Sequence, residues 1–518
     1  MTWSVLCGVL RVQGLTRVEM PEAGSREVTG IAYDSRAVKP GEVFVALKGQ
    51  HADGTAFVRQ AVDRGAVAIV SEASGVEGLP VPWVTVTDAR LALAILADAF
   101  FRHPSGDMRV VGITGTNGKT TTAYLLASIF EAAGIRCGLL GTVAYRVGPG
   151  NRETREAART TPEAPEVEAL LREMVERGCG AAVMEVSSHA LALRRVDGMR
   201  FAAGIFTNLT RDHLDFHSDM EAYFQAKRRL FEMLPPDAPS ILNIDDPRGL
   251  PLADAGGRPL TYAIGRPADV TPGPLSFSLR GLTFDVRTPG GTLQIRSALV
   301  GRPNVYNILA AVSAATALGI PFGSIESGVR NLDGVPGRFQ VVSSANDEVT
   351  VVVDYAHTDD ALRNLLETAR PLVSGRLITV FGCGGDRDRT KRPLMGAVAS
   401  RYSDVIVITS DNPRTEDPGR IIEEIQRGIT VDTRRDSTQQ QLAIADRRSA
   451  IARAIEIARP ADLVLIAGKG HEKYQVIGDR TLPFDDVAVA REALARSVSE
   501  KHEPAPSKPA SPAKNGLF

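Results

Sequence analysis

The stretch RVVGITGTNGKTTTAYLLASIFEAAGI, residues 109–135, constrains this chain more than any other. Val110, Val111 and Ile113 form a short apolar run bounded by glycine, the pattern of a buried strand. From Thr120 to Ala133 apolar residues recur at helical spacing, and Gly134 is a natural stop. Between the two lies Gly115-Thr116-Asn117-Gly118-Lys119-Thr120, followed by Thr121. Glycines there let successive backbone N–H groups curl around a phosphate at the positive end of the following helix. Lys119 adds a point charge for the outer phosphates, and the Thr120 hydroxyl is a magnesium ligand of the right type. The stretch departs from the strict phosphate-loop spacing, since Ile113 stands at the first glycine position and Gly112 falls one residue early. Asn-Gly alone marks a turn; GKTT between a strand and a helix points to nucleotide phosphate and an α/β fold.

A chain of 518 residues exceeds one compact core, so about two to four domains are expected. The formal net charge of −1 gives no global field for nucleic acid or an anionic membrane. Cys7, Cys137, Cys179 and Cys383 lie far apart without metal-ligand spacing, which fits a reduced, cytoplasmic protein. The apolar patch Val5 to Leu10 has no basic flank or clear cleavage site, and no apolar run approaches the ~20 residues of a membrane span.

Before the phosphate loop, strands are expected at Val43–Leu47 and Val67–Val70, with a helix opening at Gly54 and ending near Gly65. Asp34-Ser35-Arg36 and Gln50-His51-Ala52-Asp53-Gly54 are polar loops at strand ends, readable either as binding loops or as plain turns. The break Phe101-Arg102-His103-Pro104-Ser105-Gly106 is a domain boundary. After the loop, Cys137–Val143 reads as a strand, and Thr161 as the N-cap of a helix with Pro162 at its first position. The strand Ala181–Met184 delivers Glu185 to its carboxyl end, where ligand sites of open α/β sheets lie. A carboxylate there suits magnesium. The segment Thr207 to His217 holds two histidines and two aspartates, in a chain with only eight histidines, and suggests a second metal or phosphate contact. In the helix Met220–Phe231, composition makes Lys227 an ordinary surface lysine. Gly301-Arg302-Pro303-Asn304 caps an alanine-rich helix, Val305–Leu318.

Gly334 to Arg338 reads as a linker, after which the α/β alternation restarts. Strands are expected at Val349–Val353, Leu377–Phe381, Val405–Thr409 and Leu463–Ala467. Each ends in polar residues: Asp354 to His357, Gly382 to Arg387, Asp411-Asn412-Pro413-Arg414, and Gly468 to Glu472. Convergence of four strand ends on one rim makes a site. The Pro-, Ala-, Ser- and Lys-rich segment from Ser499 onward cannot bury enough surface to order itself. The expected division is 1–104, 105–336, 337–498 and a disordered tail, 499–518.

These motifs together resemble the Mur ligase family of peptidoglycan synthesis over Thr29 to Ala495. The resemblance rests on DSR with PGEVFVAL, GTNGKTT, TTPE, MEVSSHAL, NLTRDHLDFH, AKRRLF, GRPNVYN, GRFQ, DYAH, FGCGGDRD, SDNPR and GKGHE. It implies three α/β domains: a small N-terminal UDP-binding domain, a central P-loop ATPase-type domain and a C-terminal Rossmann-like domain. It also implies ATP and Mg2+, with ATP phosphorylating a carboxylate to an acyl phosphate that an amine then attacks. The implied substrates are UDP-N-acetylmuramoyl-L-alanyl-D-glutamate and meso-2,6-diaminopimelate. A monomer that neither binds nucleic acid nor inserts into membranes is expected.

By resemblance, residues 115–121 hold ATP; Thr120, Glu185, His213 and Lys227 (as a carbamate) attend the metal; and Asn304, Arg338 and Asp354 lie near the nucleotide. Lys119, Glu185, His213 and Lys227 form the expected catalytic set. The UDP-dipeptide positions are Tyr33, Ser35, Gln50, His51, Ala52, Thr160, Thr161, Ser187, Leu193 and Arg195. Arg159 and Leu193 depart from the family's usual Asn and Gln, so contacts there are expected to differ. The amino-acid site falls at Arg387, Asp411, Asn412, Pro413, Arg414, Gly468 and Glu472. Arg414 pairs naturally with a distal carboxylate and Glu472 with an ammonium. Competing readings are a lysine-adding member, a folylpolyglutamate-synthetase-like ligase, and a nucleotide-gated binding module without ligation.

Overall fold

The computed structural model describes residues 1–17, 26–49, 52–75, 78–148, 154–344, 347–429 and 439–502. It divides into two compact units, Met1–Val335 and Pro336–Phe518.

The first unit opens with the helix Trp3–Val12, whose Trp3, Leu6, Cys7 and Leu10 are buried. The early apolar patch is therefore a core-facing helix. Four parallel strands follow in spatial order: Gly30–Ala32, Glu42–Ala46, Ala68–Ser71 and Trp83–Thr85. They are buried on both faces, which explains their unbroken apolar runs. The expected helix at Gly54 begins instead as a 3-10 turn, Gly54–Phe57, capped by Asp53, and becomes α-helical only over Val58–Asp63.

The central sheet has eight strands. Its middle is Phe201–Phe206, Arg109–Thr114, Ala181–Glu185 and Cys137–Leu140, all parallel. The register sets Ile113 opposite Glu185 and Phe206 opposite Thr114. Three carboxyl ends thus finish level with one another, and the phosphate loop leaves from the middle one. The helix Lys119–Ala132 runs back along the sheet, packing with the alanine-rich helix Arg302–Ala317. An antiparallel sheet with no counterpart among the expected strands lies beyond, with its longest strands at Gly281–Thr288 and Gly291–Ser297.

The second unit is a six-stranded sheet in the order Gln340–Val341, Thr350–Asp354, Leu463–Ala467, Leu377–Phe381, Val405–Ile408 and Gln440–Ala443. Only the first pairing is antiparallel. The four expected strands are adjacent and point the same way, so their polar ends share one rim. The closing helix Asp486–His502 extends past the expected end of the domain at 498. The remainder of the expected tail, from 503, lies outside the described residues.

Among the described residues, no helix is long and apolar enough to cross a membrane.

Candidate active site

The loop from Gly115 to Lys119 is held by its neighbours before any ligand arrives. Asn208 bonds it three times: its backbone carbonyl accepts from Thr116 N–H and its Oδ1 from Asn117 N–H, both at 2.9 Å, and its Nδ2 donates to Asn117 O at 3.1 Å. The Thr207 hydroxyl donates to Asn117 O at 2.7 Å. Any Cβ on Gly115 would collide with Thr207 Oγ1, and one on Gly118, at φ +88°, with Asn307 Oδ1. The glycines are required by close approach as well as by backbone conformation. Asn307 Nδ2 donates to Asn304 Oδ1 at 2.9 Å, which ties Asn304 to the same loop. Lys119 folds over the loop, donating to Gly115 O and Thr116 O at 2.9 Å each.

Glu185 is buried, and its carboxylate accepts from Thr120 Oγ1 at 3.0 Å, Thr142 N–H at 2.9 Å and Thr142 Oγ1 at 2.9 Å. Among the described residues, no basic side chain lies within ion-pairing distance. A buried carboxylate satisfied only by hydroxyls and an amide has room for a cation, and the hard oxygen donors of Thr120 and Glu185 suit magnesium. Thr142 had no signal of its own in the sequence; it follows a strand end and becomes visible only through this contact.

Thr161 is not a helix cap. The helix is Ala164–Glu176, entered from Glu163, and the Thr161 hydroxyl instead donates to Glu185 O at 2.8 Å and accepts from Ser187 N–H at 3.1 Å. Tertiary partners outbid the local capping pattern. The Thr160 and Thr142 hydroxyls bond each other at 3.1 Å. Arg195 donates to Thr161 O at 3.0 Å and pairs with Glu163 at 2.7 Å, while Arg159 takes the same Glu163 oxygen at 2.7 Å. Leu193 ends the short helix that Ser187 caps. Tyr33 joins this side by donating to Glu166 Oε1 at 2.8 Å. Ser35 is bonded to Gln60 at 2.7 Å, and Ala52 O accepts from Gly49 N–H, so neither is tied into the network. Gln50 and His51 lie outside the described residues.

Lys227 is not a surface lysine. It is 1% exposed, donates to Gly115 O at 2.8 Å and lies 4.4 Å from the centre of the Tyr223 ring. Burial, reinforced by Lys119, pushes its pKa well below the usual lysine range, and Asp212 opposes this only in part. His213, half-exposed and in the left-handed region at φ +54°, stands 3.5 Å from Asp212. Burial lowers its pKa, with Lys119 and Lys227 adding to the effect. His217 bonds Ser188 Oγ at 3.0 Å and packs on Tyr223. Among the described residues, no three His, Cys, Asp or Glu side chains converge as a metal cage.

In the second unit, Arg338 stacks on Tyr355 at 4.8 Å, and the carboxylate of Asp354 accepts from Phe339 and Ala356 N–H. Burial raises the Asp354 pKa, and Arg338 acts against the rise. Farther along the rim, Asp411 and Asn412 are buried, and a Cβ on Gly468 would meet Asp411 Oδ2 at 2.7 Å. Pro413 is buried, Arg414 donates to Gly385 O at 2.8 Å, and Arg387 is exposed. Glu472 accepts from Asn412 Nδ2 at 3.1 Å and from Lys469 Nζ at 3.0 Å. Lys469, inside GKGHE, is fully buried, which its local sequence does not signal.

A phosphate loop with a buried strand-end carboxylate, in a multi-domain α/β chain, defines a nucleotide-phosphate-using protein of the open-sheet class. Family descriptions match all three parts: "Mur ligase family, catalytic domain" over 27–101, "Mur ligase middle domain" over 113–315 and "Mur ligase, glutamate ligase domain" over 337–470. The chain belongs to the Mur ligase family. It is 46% identical over 512 residues to a UDP-N-acetylmuramoyl-L-alanyl-D-glutamate–2,6-diaminopimelate ligase of Geobacter metallireducens, covering 95% of this chain and 99% of that one. The protein of the same name from Gloeobacter violaceus is 47% identical, with 94% and 97% covered. A solved structure of that title matches with a TM-score of 0.68 at 34% identity, covering 97% of this chain and all of the other.

Proposed function

We propose that this chain is the ATP-dependent ligase that joins meso-2,6-diaminopimelate to the D-glutamyl carboxylate of UDP-N-acetylmuramoyl-L-alanyl-D-glutamate. The observation that carries the reading is 46% identity over 95% of the chain to a ligase of that name. The substrate carboxylate attacks the γ-phosphorus of ATP, releasing ADP and forming an acyl phosphate. The amine then attacks the acyl carbon, loses a proton, and phosphate leaves as the amide forms.

A carboxylate is a poor electrophile, so the protein's work is positioning and charge neutralisation. The loop N–H groups and Lys119 bind the phosphates, Lys119 exchanging its bonds to Gly115 O and Thr116 O for phosphate oxygens. Thr120 and Glu185 would hold magnesium, with His213 and carbamylated Lys227 attending a second ion; when bound, the metal neutralises phosphate charge. Lys227 is suited to carbamylation because burial, with Lys119 nearby, favours the neutral, nucleophilic form of its amine. Its nitrogen adds to the carbon of CO2, and one proton leaves. Asn304, Arg338 and Asp354 attend the nucleotide. Tyr33, Ser35, Gln50, His51, Ala52, Thr160, Thr161, Ser187, Leu193 and Arg195 serve the UDP-dipeptide. The rim from Arg387 to Glu472 serves diaminopimelate. The proposal includes the division at 104 and 336, a monomer and a cytoplasmic setting, the last supported by four buried cysteine thiols.

Phosphate release and tripeptide formation, measured with the UDP-dipeptide, ATP and each amino acid in turn, test this. Product with diaminopimelate and little with L-lysine is expected. Equal rates overturn the specificity, and absence of any peptide product overturns the ligase.

A further inference from the structure

Lys469 is fully buried in the amino-acid rim, where an ammonium from the substrate was expected. Its Nζ lies 3.0 Å from Asn412 Oδ1, 3.0 Å from Glu472 Oε2 and 3.6 Å from Asp411 Oδ1. Asn412 is fixed in turn, its Oδ1 also accepting from Val476 N–H at 2.9 Å. Glu472 spends only Oε2 on these bonds, and the Asp411 carboxylate accepts no hydrogen bond among the described residues. Each acid therefore keeps oxygen for one more cation. Two carboxylates and one ammonium leave the trio at a net −1, which matches a single substrate ammonium. Arg414, with no carboxylate partner among the described residues, matches a single substrate carboxylate.

We infer that Lys469 is a specificity-determining positioning residue: by cancelling one of the two acidic charges, it sets the rim for a zwitterionic amino-acid end instead of a bare cation. The inference rests on the proposed ligase reading. A buried charge trio at −2 favours the ligand with more positive charge, and a trio at −1 balances a zwitterion whose carboxylate goes to Arg414. Lysine bears only an ammonium at its distal end, whereas diaminopimelate bears an ammonium and a carboxylate. Lys469 therefore acts on the ratio of the two substrates and not simply on the rate.

The test is kcat/KM for diaminopimelate and for L-lysine, measured on the full chain. Wild-type ligation with diaminopimelate is the control for the ligase reading. Lys469→Met is expected to lower the diaminopimelate-to-lysine ratio at least tenfold, on the order of 1.4 kcal/mol, with the KM for ATP unchanged. Lys469→Arg should return the ratio to within about threefold of wild type, since it restores the charge. Equal loss for both amino acids would mean a merely structural lysine, and an unchanged ratio would overturn the inference. Should Lys469→Met not fold, Glu472→Gln alone (net charge zero) is compared with Lys469→Met/Glu472→Gln (net −1). The double variant removes both members of the buried pair, the milder change. It should bind diaminopimelate more tightly than Glu472→Gln alone; no gain overturns the inference.

Discussion

The Lys227 amine is bonded to Gly115 O and covered by Tyr223, with no carboxylate bonded to it among the described residues. A cation held that way is costly, and neutrality or conversion to an anion relieves the cost. Lys227→Ala is expected to abolish ligation, without restoration by added bicarbonate, because alanine offers no nitrogen for the carbamate. Retained activity in a phosphate-release assay would remove Lys227 from the chemistry. Arg414 is held in place through Gly385 O and at φ +51°, so its remaining N–H groups are already oriented. Losing its charge-assisted bonds costs about 2–3 kcal/mol, roughly 30- to 150-fold. Arg414→Ala should raise the KM for diaminopimelate by about that factor and leave that for ATP nearly unchanged; an unchanged diaminopimelate KM would place Arg414 outside the pocket. Local chemistry made the phosphate loop legible, since glycine, lysine and threonine act where they stand in the chain. Lys227 was not legible from its own segment. Its burial depends on the packing of its helix beneath Gly115, a tertiary fact that its own segment does not carry.

At the scale of elements, the second unit is knit by Arg392, which sits fully buried in the helix Lys391–Tyr402. It bonds Glu416 through both Nη atoms at 2.8–2.9 Å, Glu424 at 2.8 Å and Gly384 O at 3.1 Å. These bonds link the glycine loop after one strand to the helix Pro418–Gln426. Arg392, with the Asp386 N–H bond, lowers the Glu416 pKa from 4.5 to about 2. The folded pKa is the lower one, so this stabilisation is fully present above about pH 4.5 and is lost as pH falls toward about 2. Glu416→Gln should cost about 2 kcal/mol at pH 7 and flatten the acid limb of stability between those values, checked by urea melts across pH. An unchanged acid limb would show that another carboxylate sets it. Element reading succeeded for the buried parallel strands, whose apolar runs end at polar loops. It failed for Gly281–Thr288 and Gly291–Ser297, although their burial alternates as a half-exposed hairpin should. It also failed at Thr161, where a good local cap pattern lost to a hydrogen bond with the neighbouring strand.

At the scale of the whole molecule, Met1–Val335 and Pro336–Phe518 each bury cores of their own. Units with separate hydrophobic cores unfold as separate cooperative blocks. Calorimetry is therefore expected to resolve two transitions, and a core change in one unit should move only its own. Gly328 in the helix Phe322–Arg330 supplies the first probe, because a Cβ there would collide with the backbone of Ile129 in the phosphate-loop helix. Forcing those helices apart costs about 1–3 kcal/mol. Gly328→Ala should lower the first unit's transition and weaken nucleotide binding, since Ile129 lies on the helix that begins at Lys119. Glu416→Gln should lower only the second. Effects at sites far apart and without shared partners add, so the double variant should show both shifts unchanged in size. A single transition displaced by either substitution would mean that the two cores unfold as one.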